Sequence, residues 1–310
     1  MIAPELIKKI NLVFHEEEAR TYDERHPEIL RAERTRWREI ARIVDRHLTS
    51  LGRPAVLVDL GTGTGFVPSA VLPVLREADR LICTDISPNM IERARRLISA
   101  VAPKAHVDFC IADLEQFDPG VGVDIFTINS TLHHIFSPSA VLERIAARLN
   151  RGGLLIIAHE PNKRFISNMV LRRLFTSGSA VRRLLRGVRT ILTQTSVDHL
   201  RLQRMVYERL LREQVIKADD GWISPENLQR FVDVHSPTAT GRLDVEEGFD
   251  PADLHPMFEQ WQCICFDTWN FAPALGDWRG RPLVEGLLKK LYPRDGLLFS
   301  IVLQKSQKAV

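Results

Sequence analysis

Val58-Asp59-Leu60-Gly61-Thr62-Gly63-Thr64-Gly65 joins an apolar run to three glycines at alternate positions. Ala55 to Leu60 is nearly continuous in hydrophobic residues, the pattern of a strand covered on both faces of a parallel sheet. The glycines permit a sharp turn and positive φ angles that a Cβ would hinder. Helical spacing resumes over Phe66 to Leu75, so the helix begins at the loop and its free N–H groups face whatever approaches the loop. The expected ligand is a nucleoside cofactor.

Spacing separates the cofactor classes. Dinucleotide folds use G-x-G-x-x-G, but here position 66 is Phe and the third glycine falls at 65. No Gly-Lys-Ser/Thr follows, which excludes a phosphate-binding P-loop. Asp59, directly before the first glycine, suits a cationic ligand better than phosphates.

The string Asp59 to Gly65 resembles the first motif of the class I, Rossmann-like methyltransferases that use S-adenosylmethionine (SAM). Later acids fit that resemblance. Arg80 to Asp85 reads as a second strand ending in an acid placed for ribose hydroxyls. Ser87-Pro88 then opens a helix to about Ala100, with Ser87 as N-cap. His106 to Ile111 reads as a third strand leading to Ala112-Asp113-Leu114, where the family holds the adenine amino group. The resemblance assigns cofactor contacts to Asp59, Gly61, Thr62, Gly63, Gly65, Asp85, Ile86, Met90, Ala112, Asp113, Leu114 and Asn129. It adds Tyr22 from an Ala-x-x-Tyr-Asp element (Ala19 to Asp23), for which surface packing is the competing reading.

Val123 to Asn129 is a fourth buried strand. It leads through Ser130 to Ile135, a helix from about Pro138 to Asn150 and the turn Arg151-Gly152-Gly153 into a fifth strand, Leu154 to Ala158. Ligands of an open α/β sheet bind beyond the carboxyl ends of its strands, so residues 129–134 and 159–162 should face the reacting methyl group. His134, His133 and Glu160 are the candidate catalytic groups, with His159 beside them, since histidine titrates near neutrality. An amine or carboxylate acceptor would need no base.

The family fold is α/β: a seven-stranded, mostly parallel sheet, order 3-2-1-4-5-7-6, with an antiparallel last strand. Trp261 to Asn270 and Leu297 to Lys305 supply strands six and seven, around a helix from about Pro282 to Leu291. The expected domains are a helical cap over 1–50, a cofactor-binding core over 51–162 and 251–310, and a helical insert over 163–250 serving as substrate lid. Ser224-Pro225 reads as a helix start within that insert.

Between Lys163 and Lys217 thirteen basic side chains face three acidic ones, while the whole chain carries only +3. Val181 to Arg189 is a basic amphipathic stretch. A solvated arginine face is the plain reading; an acidic carrier protein or a membrane surface is the functional one. Few aromatics argue against nucleic acid. The four cysteines (Cys83, Cys110, Cys263, Cys265) show no metal-ligand spacing, so no metal is expected, and Cys263 and Cys265 should share one strand face. No apolar run approaches the ~20 residues that cross a bilayer. A cytoplasmic protein, peripheral to a membrane at most, is expected.

These readings converge on a SAM-dependent methyltransferase that releases S-adenosylhomocysteine (SAH). Its acceptor would be a hydrophobic or acidic small molecule, with oxygen favoured over carbon or nitrogen, and a homodimer is compatible. The rivals are a non-catalytic adaptor working through the basic insert and a nicotinamide-dependent oxidoreductase.

Overall fold

The computed structural model describes residues 4–19, 27–176, 194–217, 221–235, 248–250, 254, 261–275 and 280–307. Its elements in chain order are α1 (Pro4–Glu18), α2 (Pro27–Leu51), β1 (Val56–Leu60), α3 (Phe66–Val71), β2 (Arg80–Asp85), α4 (Pro88–Ala100), β3 (His106–Ile111) and β4 (Val123–Asn129). There follow α5 (Pro138–Arg148), β5 (Leu149–Pro161), α6 (Lys163–Ser167), α7 (Gln194–Arg212), α8 (Gln229–Val232), β6 (Gln262–Trp269), α9 (Arg281–Leu291) and β7 (Leu298–Gln304). The strands form one sheet in the order β3-β2-β1-β4-β5-β7-β6. Only β7 runs against its neighbours.

Strand alternation distributes the core over two faces. Leu57, Leu81, Cys83, Ile125 and Ile156 point to one side, where Trp37, Ile40, Val44 and Leu48 of α2 cover them at helical spacing. Val58, Ile82, Phe126, Ile128 and Ile157 point to the other, against Val141, Leu142 and Ile145 of α5. Each such side chain contributes about 1.5–3 kcal/mol on burial, so the sheet is a rigid base for the loops at its carboxyl edge.

The N-terminal segment splits between two cores. α2 packs on the sheet, whereas Ile10, Val13 and Phe14 of α1 pack with Leu202, Val206 and Leu210 of α7 and with Leu228 and Val232 around α8. Arg209 of α7 ties them further, reaching Glu16 at 2.5 Å, Glu17 at 2.9 Å and Glu213 at 2.6 Å. One of the insert's basic groups is thereby committed inside the protein, and Arg164 is held by Asp250 at 2.9 Å. Val181 to Arg189 lies outside the described residues, as does Tyr22. No helix among the described residues is long and apolar enough to cross a membrane.

Local departures from the sequence reading have local causes. β5 begins at Leu149 and includes Gly152 and Gly153, because Leu149 pairs with Val123 before a register shift restores pairing at Leu154. Within the insert expected to be helical, the helix breaks at Asn168, whose side-chain oxygen Oδ1 accepts the Val170 and Leu171 N–H groups and caps a new helical run. Ser224-Pro225 opens a turn, and helix starts only at Gln229. Cys263 and Cys265 do not share a face in simple alternation: the register shifts between them, leaving Cys263 exposed while Cys265 packs on the core.

At the amino edge of the sheet, buried Asp124 accepts two bonds from Arg53 (2.6 and 3.0 Å), one from the Val56 N–H (3.0 Å) and one from Asn150 (2.8 Å). Burial opposes its charge, but the Arg53, Asn150 and Val56 donors prevail and hold its pKa down. Asp124→Ala strands these donors and should cost about 2–3 kcal/mol in urea unfolding. A loss under about 0.5 kcal/mol would show that the cluster is not a structural anchor.

Candidate active site

The glycine loop is braced from beneath. Asp59, at the end of β1, is buried; its Oδ2 accepts the Thr62 hydroxyl at 2.8 Å and its Oδ1 the Thr127 hydroxyl at 2.6 Å. Thr62 in turn donates its N–H to the Thr84 carbonyl at 2.8 Å, joining the loop to β2. Burial pushes the Asp59 carboxyl up to about 6; the two hydroxyls oppose that and nearby Asp85 adds to it. Gly61 (φ 70°) lies so close to Thr131 that a Cβ there would fall 2.3 Å from its methyl carbon. Gly63 (φ 56°) has nothing within 4 Å of its missing Cβ and forms an open cradle.

Asp85 faces that cradle. Its Oδ2 accepts the Gly63 N–H at 2.9 Å and its Oδ1 the Ser87 N–H at 2.8 Å, while burial raises its pKa against these bonds. Ser87 caps α4 by accepting the Met90 N–H at 3.3 Å. Further along, Asp113 and Glu115 share Lys8 of α1, whose Nζ stands 2.8 and 2.6 Å away. Asn129 is oriented by the Trp37 indole, which donates to its Oδ1 at 3.0 Å.

The histidines occupy a 3-10 turn, Leu132–His134, after β4. Fully buried Glu160 accepts the N–H groups of Thr131 (2.8 Å), Leu132 (2.8 Å) and His133 (3.2 Å), and its Oε2 lies 2.8 Å from His133 Nδ1. His134 Nδ1 lies 3.0 Å from the Val232 carbonyl and 3.1 Å from Asp233 Oδ1. Burial disfavours a charge on His134, but Asp233 and that carbonyl overcome it and push its pKa up to about 9. Asp233 is held well below the usual carboxylate range despite its own burial. His15 of α1 packs edge-on against His134 at 4.9 Å between centroids.

A cavity of about 670 Å³ unites these groups, a size ordinary for a small-molecule site. Gly61, Thr62, Gly63, Asp85, Ile86, Met90, Asp113, Leu114, Asn129, His133 and His134 line it. Other expected residues do not. Asp59 lies under the loop, Gly65 caps α3 against Ala94, and Ala112 spends its N–H on the Asp85 carbonyl. Glu160 also stands behind the wall, so it acts through His133. Lys8, His15, Gln229 and Asp233 line the cavity unforeseen, brought in by long-range packing of α1 and α8. His159, at the strand end, lines it with a left-handed backbone (φ 57°) and Nδ1 3.2 Å from Glu33.

Residues 58–155 match the family model described as a methyltransferase domain. Trans-aconitate 2-methyltransferase of Streptomyces coelicolor is 30% identical over 124 residues, covering 40% of this chain and 41% of that one. Carboxy-S-adenosyl-L-methionine synthase of Chromohalobacter salexigens is 31% identical over 121 residues, 38% and 43% of the two chains. The chain thus spans less than half the length of these relatives. Among solved structures, the plantazolicin methyltransferase BpumL with SAH aligns over 97% of this chain and 98% of its own, at 14% identity and a TM-score of 0.45.

The residues present fit SAM: an open glycine cradle, a buried acid beside it for ribose hydroxyls, and a half-buried acid beyond for an amino group. With this site on a 3-2-1-4-5-7-6 sheet, residues 58–155 form a methyltransferase domain, and over that stretch the chain is similar to SAM-dependent methyltransferases of the class I, Rossmann-like kind.

Proposed function

We propose that the protein transfers a methyl group from SAM to a small, largely apolar acceptor, at oxygen in preference to nitrogen or carbon. The observation carrying this reading is the continuity of one cavity from the Gly63–Asp85 cradle to His133 and His134. Bound SAM supplies a methyl group on a sulfonium that is already a good leaving group. The chain's own part is positioning: Asp85, Gly63 and Asp113 hold the nucleoside, and α1 with α8 screens the reacting centre from water. His133 and His134 set the acceptor, since both imidazoles can hydrogen-bond a hydroxyl or oxyanion.

The cavity wall favours an acceptor without multiple carboxylates. Among the described lining residues Lys8 is the one lysine or arginine, and it is paired with Asp113 and Glu115. Phe14, Ile135, Phe136, Phe175 and Leu298 supply apolar surface instead. Incubation with methyl-labelled SAM and an acceptor panel should therefore label hydroxylated aromatic or alicyclic compounds and leave trans-aconitate unlabelled. Label in trans-aconitate alone would sink this acceptor class.

Asp85→Ala should weaken SAM at least about tenfold by calorimetry, the ~1–2 kcal/mol of lost charged hydrogen bonds. Unchanged affinity would remove Asp85 from the ribose site.

Asp59 gives a pH signature of defined sign. Below about 6 it takes up a proton, the loop loses negative charge, and SAM, cationic overall, should bind more weakly. The stability of the ligand-free protein should run the other way. Because the folded pKa is raised, wild type should lose ~2–3 kcal/mol relative to Asp59→Asn as pH rises from about 4 through about 6. Parallel pH profiles for wild type and Asp59→Asn in both measurements would refute the assignment.

A further inference from the structure

The acceptor end of the cavity contains a cluster that positioning alone does not require. His133 and His134 come from the turn after β4 and Asp233 from the residue after α8. One atom of each, a nitrogen from either imidazole and an oxygen from the carboxylate, falls within 4.8 Å of the others. Asp233 Oδ1 is 3.1 Å from His134 Nδ1 and 3.9 Å from His133 Nε2. Metal bonds of about 2.0–2.2 Å place neighbouring ligand atoms roughly 3–3.5 Å apart, so only small side-chain shifts separate this arrangement from a coordination shell.

The atoms behind the cluster are arranged to leave these ones available. Glu160 Oε2 lies 2.8 Å from His133 Nδ1, and with Nδ1–H donated to it Nε2 is the imidazole nitrogen left for a cation. Gln229 donates its Nε2–H to Asp233 Oδ2 at 2.9 Å, so that Oδ1 faces the histidines, and there a cation would replace the proton it shares with His134 Nδ1. Carboxylate and amide partners on the far atoms are the usual supports of metal ligands. Two electron-pair donors, His133 Nε2 and Asp233 Oδ1, face each other, an arrangement that a cation between them stabilises. The Val232 backbone carbonyl lies 3.0 Å from His134 Nδ1, and the side-chain oxygen Oε1 of Gln229, the residue whose Nε2 holds Asp233, is buried without a hydrogen-bond partner.

We propose that His133, His134 and Asp233 form a binding site for a divalent first-row transition ion, reached from the cavity. Two imidazoles and one carboxylate suit zinc, manganese, iron, cobalt or nickel better than magnesium or calcium. Three protein ligands leave coordination positions open, and there the ion would hold the acceptor's oxygen and favour its deprotonated form. That last role rests on the methyl-transfer reading. Binding of the ion does not.

The test uses the untagged full chain, stripped with chelator and titrated with Co²⁺ by visible absorption and calorimetry, with SAH titrated into the same samples. One equivalent should bind. Asp233→Ala and His133→Ala should each weaken binding at least a hundredfold, and Gln229→Ala, which removes only a supporting group, about tenfold. Far-UV circular dichroism and the urea-unfolding midpoint check that each variant is folded. A wild type that binds SAH but not Co²⁺ overturns the proposal, as does Co²⁺ binding indifferent to Asp233→Ala and His133→Ala. Stoichiometric Co²⁺ binding lost in both variants supports it, even if SAH fails to bind, in which case the methyl-donor reading falls alone.

Discussion

A carboxylate sealed beneath the glycine loop is the constraint on which the site depends. Asp59 engages Thr62 in the loop and Thr127 in β4, while its backbone carbonyl receives the Thr84 hydroxyl of β2 at 3.0 Å. Three adjacent strands and the loop are thus pinned at one point. Burying a carboxylate there is costly, as its raised pKa records, and the hydroxyls recover only part of that cost. The gain is a loop whose turn conformation is set before any ligand arrives. A preset loop spares a ligand the entropy of ordering it.

The second organising element is the packing of α1 on α7 and α8. α1 is far in sequence from α7 and α8, yet the three share one apolar core, and α1 and α8 contribute side chains to the cavity wall. Lys8 meets Asp113 and Glu115, Asn11 donates to the Phe231 carbonyl at 3.1 Å, and His15 packs on His134. The same helix therefore touches the Asp113 end and the histidine end of the cavity. A change in the seating of α1 would be felt at both, which makes the N-terminal segment part of the site.

What could be read from sequence follows the range of the interactions. The buried strands, the glycine loop, Asp85 and the capping Ser87 are written in patterns a few residues long, and they stand where those patterns put them. Asp59 was visible as a residue, but its direction was not: facing a cation and facing two hydroxyls below the loop look alike in one dimension. Glu160 was legible as polar and near the site, while its position behind His133 depends on the 3-10 turn that folds over it. Asp233 and Gln229 carried no local signal, because α8 is four residues long and reaches the cavity only through tertiary packing, and Lys8 arrives there through the long-range packing of α1. Cys263 illustrates the same limit within a strand, where one register shift undoes the period-two rule.

Charge is distributed unevenly along the cavity, and this gives a bound ligand a direction. Asp85, Asp113 and Glu115 lie toward one end, with Lys8 offsetting part of their charge, whereas the opposite end presents imidazoles and the His134–Asp233 pair amid aromatic and aliphatic walls. On the proposed reading a cationic donor and an apolar acceptor sort to opposite ends, because the carboxylate at the far end, Asp233, is already paired with His134. Binding energy gathered along the whole cavity then serves to align the two at the middle, near Asn129 and Thr131, where the strand ends of β4 and β5 meet.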